Sequence, residues 1–274
     1  MKKRKIDVAV IAAGGNATRF RTYSLTLPKE MLPLNGKPVI EYVIDECIDA
    51  KINKIIIEVK KGNGCIKNHL MVHEIYSKYL CDNLYKMDSS DGIQIVIVEG
   101  DTQYRYGNAI SILSVEDYLK GKIFAVLFAD DIILGKNATK ELVEMYCRSN
   151  AKAIIATALK NDEEICEYGN LKIDEKTNKV TMLIQKPQNF ILSNNVVVSR
   201  MILDDSIFKY IKLCTDGESD IGKALNIQAQ ECDVIACSIT GEWVCVDSPQ
   251  RYLQAMITVQ KLEQIITDGR ILQH

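Results

Sequence analysis

The chain has no uninterrupted apolar run approaching about 18 residues, so it offers no candidate for a membrane-crossing helix. It also has no CxxC pair. Its nine cysteines are an odd number, and several, such as Cys47 and Cys237, sit inside apolar periodic segments. That usage excludes a disulfide framework and a thiolate zinc site, and it fits reduced thiols serving as small hydrophobes in the cytoplasm. Excess charge of either sign is missing: the formal net charge is −2, which implies no general attraction to nucleic acid. The basic start, MKKRK, has no apolar targeting segment behind it, because Asp7 interrupts and Gly14-Gly15 follow. Internal repeats, low-complexity linkers and heptads are absent too.

What is present is ordinary for a globular protein with a real core: 274 residues, 47% hydrophobic and 26% charged. Strand-like apolar runs alternate with helical stripes, which predicts an α/β fold. Val8–Ile11 reads as a buried parallel strand. Next come Gly14 and Gly15, a turn without side chains that lets backbone N–H groups approach a phosphate, or that serves simply as a packed βα turn. Arg19 and Lys29 bring two cations to the same stretch, a combination suited to polyphosphate. Further along, Val39–Ile48, 65–80, 137–149 and 250–266 read as helices, and 54–59, 94–98, 123–128 and 152–158 as strands. The breadth of the last helix's apolar set suggests packing on the sheet or on another subunit, hence a homo-oligomer. Strand 123–128 ends in Ala129-Asp130-Asp131, where open α/β sheets place ligands and where a hard cation can bind with substrate phosphates.

The string AGGNATRF followed by PKEMLPLNGKP resembles the signature of sugar-1-phosphate nucleotidylyltransferases, and PKEMLP resembles the bacterial UTP–glucose-1-phosphate uridylyltransferases. The resemblance implies a Rossmann-like nucleotidyltransferase fold with a mixed central sheet flanked by helices. It implies one domain over 1–274, with a nucleotide-binding half to about 150 and a sugar-phosphate half beyond. It also implies that Ala13, Gly14 and Gly15 wrap the nucleotide, and that Arg19 and Lys29 stabilise charge on the transferred phosphoryl group. Gly107-Asn108-Ala109 matches a G-x-A motif lying against the nucleotide. Gln103 is the only nearby glutamine for reading the base; a plain helix-capping role is the alternative. Asp130 aligns with a Mg²⁺-binding aspartate. Ala17 replaces a signature glycine, at a cost of about 1 kcal/mol or more if φ is positive there.

In the second half, Tyr168-Gly169-Asn170-Leu171 resembles a sugar-contact strand, and Gly169 permits close approach. Lys186 matches the phosphate-binding lysine of an E-K-P motif whose glutamate is Gln185 here. Asn194 matches a sugar-binding asparagine, and a later glycine of that segment is Ser199. Glu218 in Gly217–Leu225 falls on a sugar-hydroxyl acceptor, or is an acidic residue near a helix start. The motif W-x-D-x-G-T-P, whose aspartate is a second metal ligand, reads Trp243-Val244-Cys245-Val246-Asp247-Ser248-Pro249. Cys245 stands on the metal position and is a poor ligand for Mg²⁺. Asp247 could take over if 243–247 is a strand, or it could merely cap the next helix. The implied activity is transfer from an NTP, UTP by resemblance, to a sugar 1-phosphate such as glucose 1-phosphate, with Mg²⁺. A nucleotide- or sugar-binding regulatory relative is the alternative, motivated by Ala17, Gln185, Ser199 and Cys245.

Overall fold

The computed structural model describes residues 5–80, 92–100, 107–214 and 220–271, the side chains at 23, 25, 263 and 265–271 excepted. The first half contains β1 (Val8–Ala13), the short ribbon β2 (Pro33–Leu34) and β3 (Lys37–Pro38), α1 (Val39–Asp49), β4 (Lys54–Val59), α2 (Cys65–Val72), β5 (Gln94–Glu99), α3 (Ile110–Leu113), α4 (Glu116–Leu119), β6 (Ile123–Phe128), β7 (Asp131–Leu134) and α5 (Ala138–Arg148). The second half contains β8 (Ala153–Leu159), α6 (Asp162–Ile165), β9 (Gly169–Ile173), β10 (Val180–Gln185), β11 (Asn195–Asp204), α7 (Ile207–Leu213), α8 (Ile221–Glu231), β12 (Val234–Ser238), β13 (Glu242–Cys245) and α9 (Pro249–Ile271).

A nine-stranded mixed sheet runs through both halves in the order β10-β9-β11-β6-β1-β4-β5, with β8 and β12 joined alongside β11. The β6-β1-β4-β5 strip is parallel and β11 enters antiparallel to β6. Side chains alternate across it as pleating demands. In β1, Ala9, Ile11 and Ala13 face the cluster under α1, α5 and α9, whereas Val8 and Val10 face the cluster under α3, α7 and α8. Because both faces are covered, the central strands read as continuous apolar runs.

A separate antiparallel ribbon pairs β7 with β13 and sets Cys245 opposite Asp131. The Val246 N–H donates to the Asp130 carbonyl at 2.8 Å. Two motifs more than a hundred residues apart are thereby stitched into one corner at the carboxyl end of β6.

The helix expected over 65–80 ends at Val72, and a 3₁₀ turn follows at Ser77–Tyr79. Of the three residues that a continuous helix would turn inward, Ile66 and Leu70 are buried but Ile75 is exposed. The reason is local: the extended backbone of His73 stops the helix, so the helical register no longer governs Ile75. In α9, Ala255 and Val259 are buried while Leu253 and Ile257 are 57% and 46% exposed, so only part of its apolar set meets the sheet.

Candidate active site

A cleft of about 490 Å³ opens over the carboxyl ends of β1, β4 and β6, a size common for small-molecule sites. Its walls include Gly14, Gly15, Lys29, Gly107 and Asp130 from the first half, and Gln185, Lys186, Asp220 and Lys223 from the second. The structure thus brings seven of the twelve described sequence candidates to one place. The glycine turn leads out of β1, and a Cβ on Gly15 would stand 3.8 Å from the Lys29 ammonium. Lys29 in turn pairs with Asp130. Burial alone would lower the Lys29 pKa, but Asp130 and Glu30 outweigh it and raise it. Asp130 is held below the usual carboxylate range: its burial pushes the other way, and Lys29 prevails.

Ala17 has φ 47, in the left-handed region that disfavours a Cβ. The expected backbone cost is therefore present. Lys186 shares the feature, with φ 44, and its N–H donates to the Tyr168 carbonyl at 2.9 Å. Two of the six non-glycine residues with positive φ among the described residues thus sit in loops beside the cleft, where strain can hold functional groups in place.

Around the Asp130 corner, Cys245, Asp131 and Asp247 complete an acidic cluster. The Asp131 carboxylate accepts from the Ser199 hydroxyl through one oxygen, while the other is buried without a partner. Asp247 accepts from both Arg19 and Arg251 through one oxygen, and its second oxygen is likewise buried and unpartnered. It does not cap α9: the Ser248 hydroxyl accepts from the Arg251 N–H at 3.3 Å instead. Strand β13 ends at Cys245, two residues short of Asp247. Burial, followed by Asp131, Asp130 and Asp247, pushes the Cys245 thiol far up, so it stays neutral at neutral pH. Arg251 also pairs with Glu167 and lies 5.1 Å over the Tyr168 ring, which in turn meets Trp243 at 4.9 Å.

Other candidates sit elsewhere. Arg19 is outside the cleft wall, turned to Asp247. Ala13 is buried beneath it, facing the core. Gly169 is buried in β9 against Val197 and the Gln185 amide oxygen, so its missing side chain makes room for those neighbours. Asn194 is exposed and donates to the Lys160 carbonyl at 3.0 Å, away from the cleft. Gln103 and Glu218 lie outside the described residues.

Glu58 and Arg200 escaped the sequence reading, as did the tie that Asn108 makes. Glu58 is a buried carboxylate in the cleft wall that accepts from the Gly14 N–H at 3.2 Å. Asn108 donates to Asp220 at 3.2 Å and accepts from the Ile221 N–H at 2.7 Å, tying α3 to α8. Arg200, fully buried, grips Glu46 and donates to the Phe128 and Asp131 carbonyls on either side of Asp130. An arginine inside an apolar strand run is the one signal that could have flagged the last.

A family model described as Nucleotidyl transferase matches residues 8–261. UTP–glucose-1-phosphate uridylyltransferase 2 of Staphylococcus saprophyticus is 32% identical over 231 residues, spanning 80% of this chain and 78% of the relative. UTP–glucose-1-phosphate uridylyltransferase of Pseudomonas aeruginosa is 29% identical over 266 residues, 91% of this chain and 94% of the relative. Among solved structures, a UDP-glucose pyrophosphorylase complexed with UDP-glucose superimposes with TM-score 0.80 at 23% identity, over 94% of this chain and 99% of the other; at that identity the likeness speaks for the fold.

Proposed function

Because the chain belongs to the nucleotidyl transferase family, we propose that it transfers a uridylyl group from UTP to glucose 1-phosphate, giving UDP-glucose and pyrophosphate. The observation that carries the reading is the convergence of the Gly14–Gly15 turn, Lys29, Asp130 and Lys186 on one cleft fed by both halves. Residues to about 150 furnish the nucleotide side, and Gln185 and Lys186 the sugar-phosphate side. The sugar phosphate's oxygen attacks the α-phosphorus in line and pyrophosphate leaves, with no covalent enzyme intermediate. Lys29 and Lys186 neutralise the anionic oxygens of the two substrates and hold them in register, so catalysis is positioning and charge stabilisation. Arg19 supports the same phosphates once it leaves Asp247.

Among the described residues no ready-made cage of three metal-binding side chains exists. The donor set still fits Mg²⁺, which takes one or two carboxylates and completes its shell with substrate phosphates and water. Asp130 and the unpartnered Asp247 oxygen are the groups that would hold it; the neutral Cys245 is not. When bound, the ion supplies charge neutralisation at the phosphates. The eight cysteines among the described residues are all free thiols, which supports a reducing cytoplasmic setting. The exposed Leu253 and Ile257 of α9 support self-association.

Pyrophosphate release, measured for each NTP and dTTP against several hexose 1-phosphates, tests the reading. UTP with glucose 1-phosphate should exceed every other pair. A second reading, a regulator that binds without turnover, draws on Cys245 at the metal position and on Asp247 held by two arginines. Nucleotide binding with no pyrophosphate from any pair would establish it instead.

A further inference from the structure

Glu58 is a titratable group in the cleft that the transfer chemistry does not use. It is the last residue but one of β4, paired beside Ala12 of β1 and Val98 of β5. Strand alternation turns it to the same face as Ile56, toward α3. Its residue is 4% exposed. One carboxyl oxygen accepts from the Gly14 N–H at 3.2 Å, and no described group hydrogen-bonds the other. A Cβ at Gly14 or at Gly100 would collide with this carboxyl group, so two glycines leave it its room. The opening is thus built around a carboxyl group.

Its position selects what it can meet. The cations that suit phosphate, Lys29 and Lys186, line the cleft together with Asp130. Glu58 lies in the same cleft beside Gly14, from whose N–H it accepts, and among the described residues no cation pairs with it. A triphosphate avoids a carboxylate, so the part of a nucleotide that rests there is its neutral part. Resting on the uridylyl transfer proposed above, we propose that Glu58 reads the nucleobase, its carboxyl group accepting from the imide N–H of a uracil ring and donating to the adjacent carbonyl oxygen. A neutral carboxyl group has one donor and one acceptor side by side, which matches that edge; a carboxylate has acceptors only and repels the ring carbonyl. Guanine, with two adjacent donors on its pairing edge, prefers the ionised form.

The balance between the forms lies near neutrality, because burial pushes the carboxyl up to about 7 against the Gly14 N–H, which lowers it. The neighbouring charged groups are Lys29 and Glu30 beyond the glycine turn, Asp130 at the end of β6, and Lys186, Asp220 and Lys223 across the cleft; α3 presents none. Uracil recognition is therefore present below pH 7 and lost as pH rises through it, and UTP binding takes up a proton.

Calorimetric titration of the full chain with UTP at about pH 6 and about pH 8.5, in buffers of differing ionisation heat, tests this. Only a competent fraction binds, so wild-type affinity should fall by up to about thirty-fold more than that of Glu58→Gln, whose amide keeps both hydrogen bonds without titrating. The γ-phosphate's own titration is common to both proteins and cancels. Glu58→Leu should weaken UTP at about pH 6, where the wild-type carboxyl is neutral, and much less at about pH 8.5, yet bind inorganic tripolyphosphate like wild type. Equal pH slopes in wild type and Glu58→Gln overturn the proposal, as does a Glu58→Leu loss for tripolyphosphate as large as for UTP, or tighter binding of GTP than UTP at about pH 6. These readouts need no turnover, so they stand or fall separately from the pyrophosphate assay.

Discussion

Single side chains decide whether the Asp130 corner works. Lys29 lies beside the glycine turn and pairs with Asp130, so Lys29→Ala should lower kcat by roughly 10²- to 10³-fold, on the order of 3–4 kcal/mol of lost charge stabilisation, and should also lower the melting temperature, because the Asp130 carboxylate loses its partner. A wild-type-like kcat would remove Lys29 from the chemistry. At the neighbouring position, Cys245→Asp restores an oxygen beside Asp131. If Asp247 has taken over as ligand, Cys245→Asp should change the rate little, whereas Asp247→Ala should lose activity and raise the Mg²⁺ concentration needed. The opposite pattern, activity gained in Cys245→Asp and unchanged in Asp247→Ala, supports the regulator. Glu30, 2% exposed beside Lys29, makes a stability prediction. Burial, opposed by Lys29, pushes its carboxyl up to about 8. Between its unfolded value and about 8 the folded state binds the extra proton, so this group's contribution to stability falls as pH rises through that window. Glu30→Gln should thus leave the melting temperature at about pH 5 nearly unchanged and raise it at about pH 8, the difference on the order of a few kcal/mol. Equal shifts at both pH values would show that Glu30 is ionised throughout.

At the scale of elements, the sequence reading and the structure agree wherever a single periodicity governs. β4 and β6 run over the residues expected, because Ile55–Ile57 and Phe124–Leu127 are apolar on both faces and sit mid-sheet. Agreement fails where long-range pairing decides. The β7–β13 ribbon is invisible in either segment alone, and so is the seat of Asp247 between two arginines. Nor could the spacing of Glu46 and Arg200 reveal a pair: they meet across α1 and β11. That pair is the brace of the Asp130 turn. The Arg200 fork donates to Glu46 at 2.8 and 3.0 Å and to the Asp131 carbonyl at 2.8 Å, and Glu46 also accepts from the Thr139 N–H at 3.0 Å. Removing one partner strands a buried charge, so Arg200→Leu or Glu46→Leu should each cost about 3–5 kcal/mol in denaturant unfolding. The double variant should cost clearly less than the sum, because it leaves no charge behind. Additive losses would mean that the two groups are stabilised independently.

At the scale of the whole molecule, the sheet joins the two halves along the floor of the cleft, and Asn108 joins them at its wall. Its amide donates to Asp220 and its oxygen accepts from the Ile221 N–H, while Asp220 also accepts from the Gln185 amide at 3.1 Å and the Lys223 N–H at 2.9 Å. One asparagine of the first half therefore holds the cap of α8 and, through it, the residue preceding Lys186. Asn108→Ala leaves the buried Ile221 N–H unpaired, a loss of about 1–3 kcal/mol, which for a chain of this size lowers the melting temperature by roughly 2–4 °C per kcal/mol. The informative comparison is the same substitution with nucleotide bound. UTP at about a hundred times its Kd stabilises the folded state by about 2.7 kcal/mol through mass action alone. If nucleotide contacts only the first half, the Asn108→Ala loss is the same with and without UTP. A nucleotide whose phosphates reach Lys186 uses both sides of the wall, and its binding then depends on the tie. The expected result is a larger Asn108→Ala loss in the presence of UTP, by about 0.5–1 kcal/mol in a cycle of ligand against substitution. The KM for glucose 1-phosphate should rise together with that for UTP. Additivity within error, or a rise confined to one KM, would show that the halves bind their substrates independently and that the sheet alone carries their coupling.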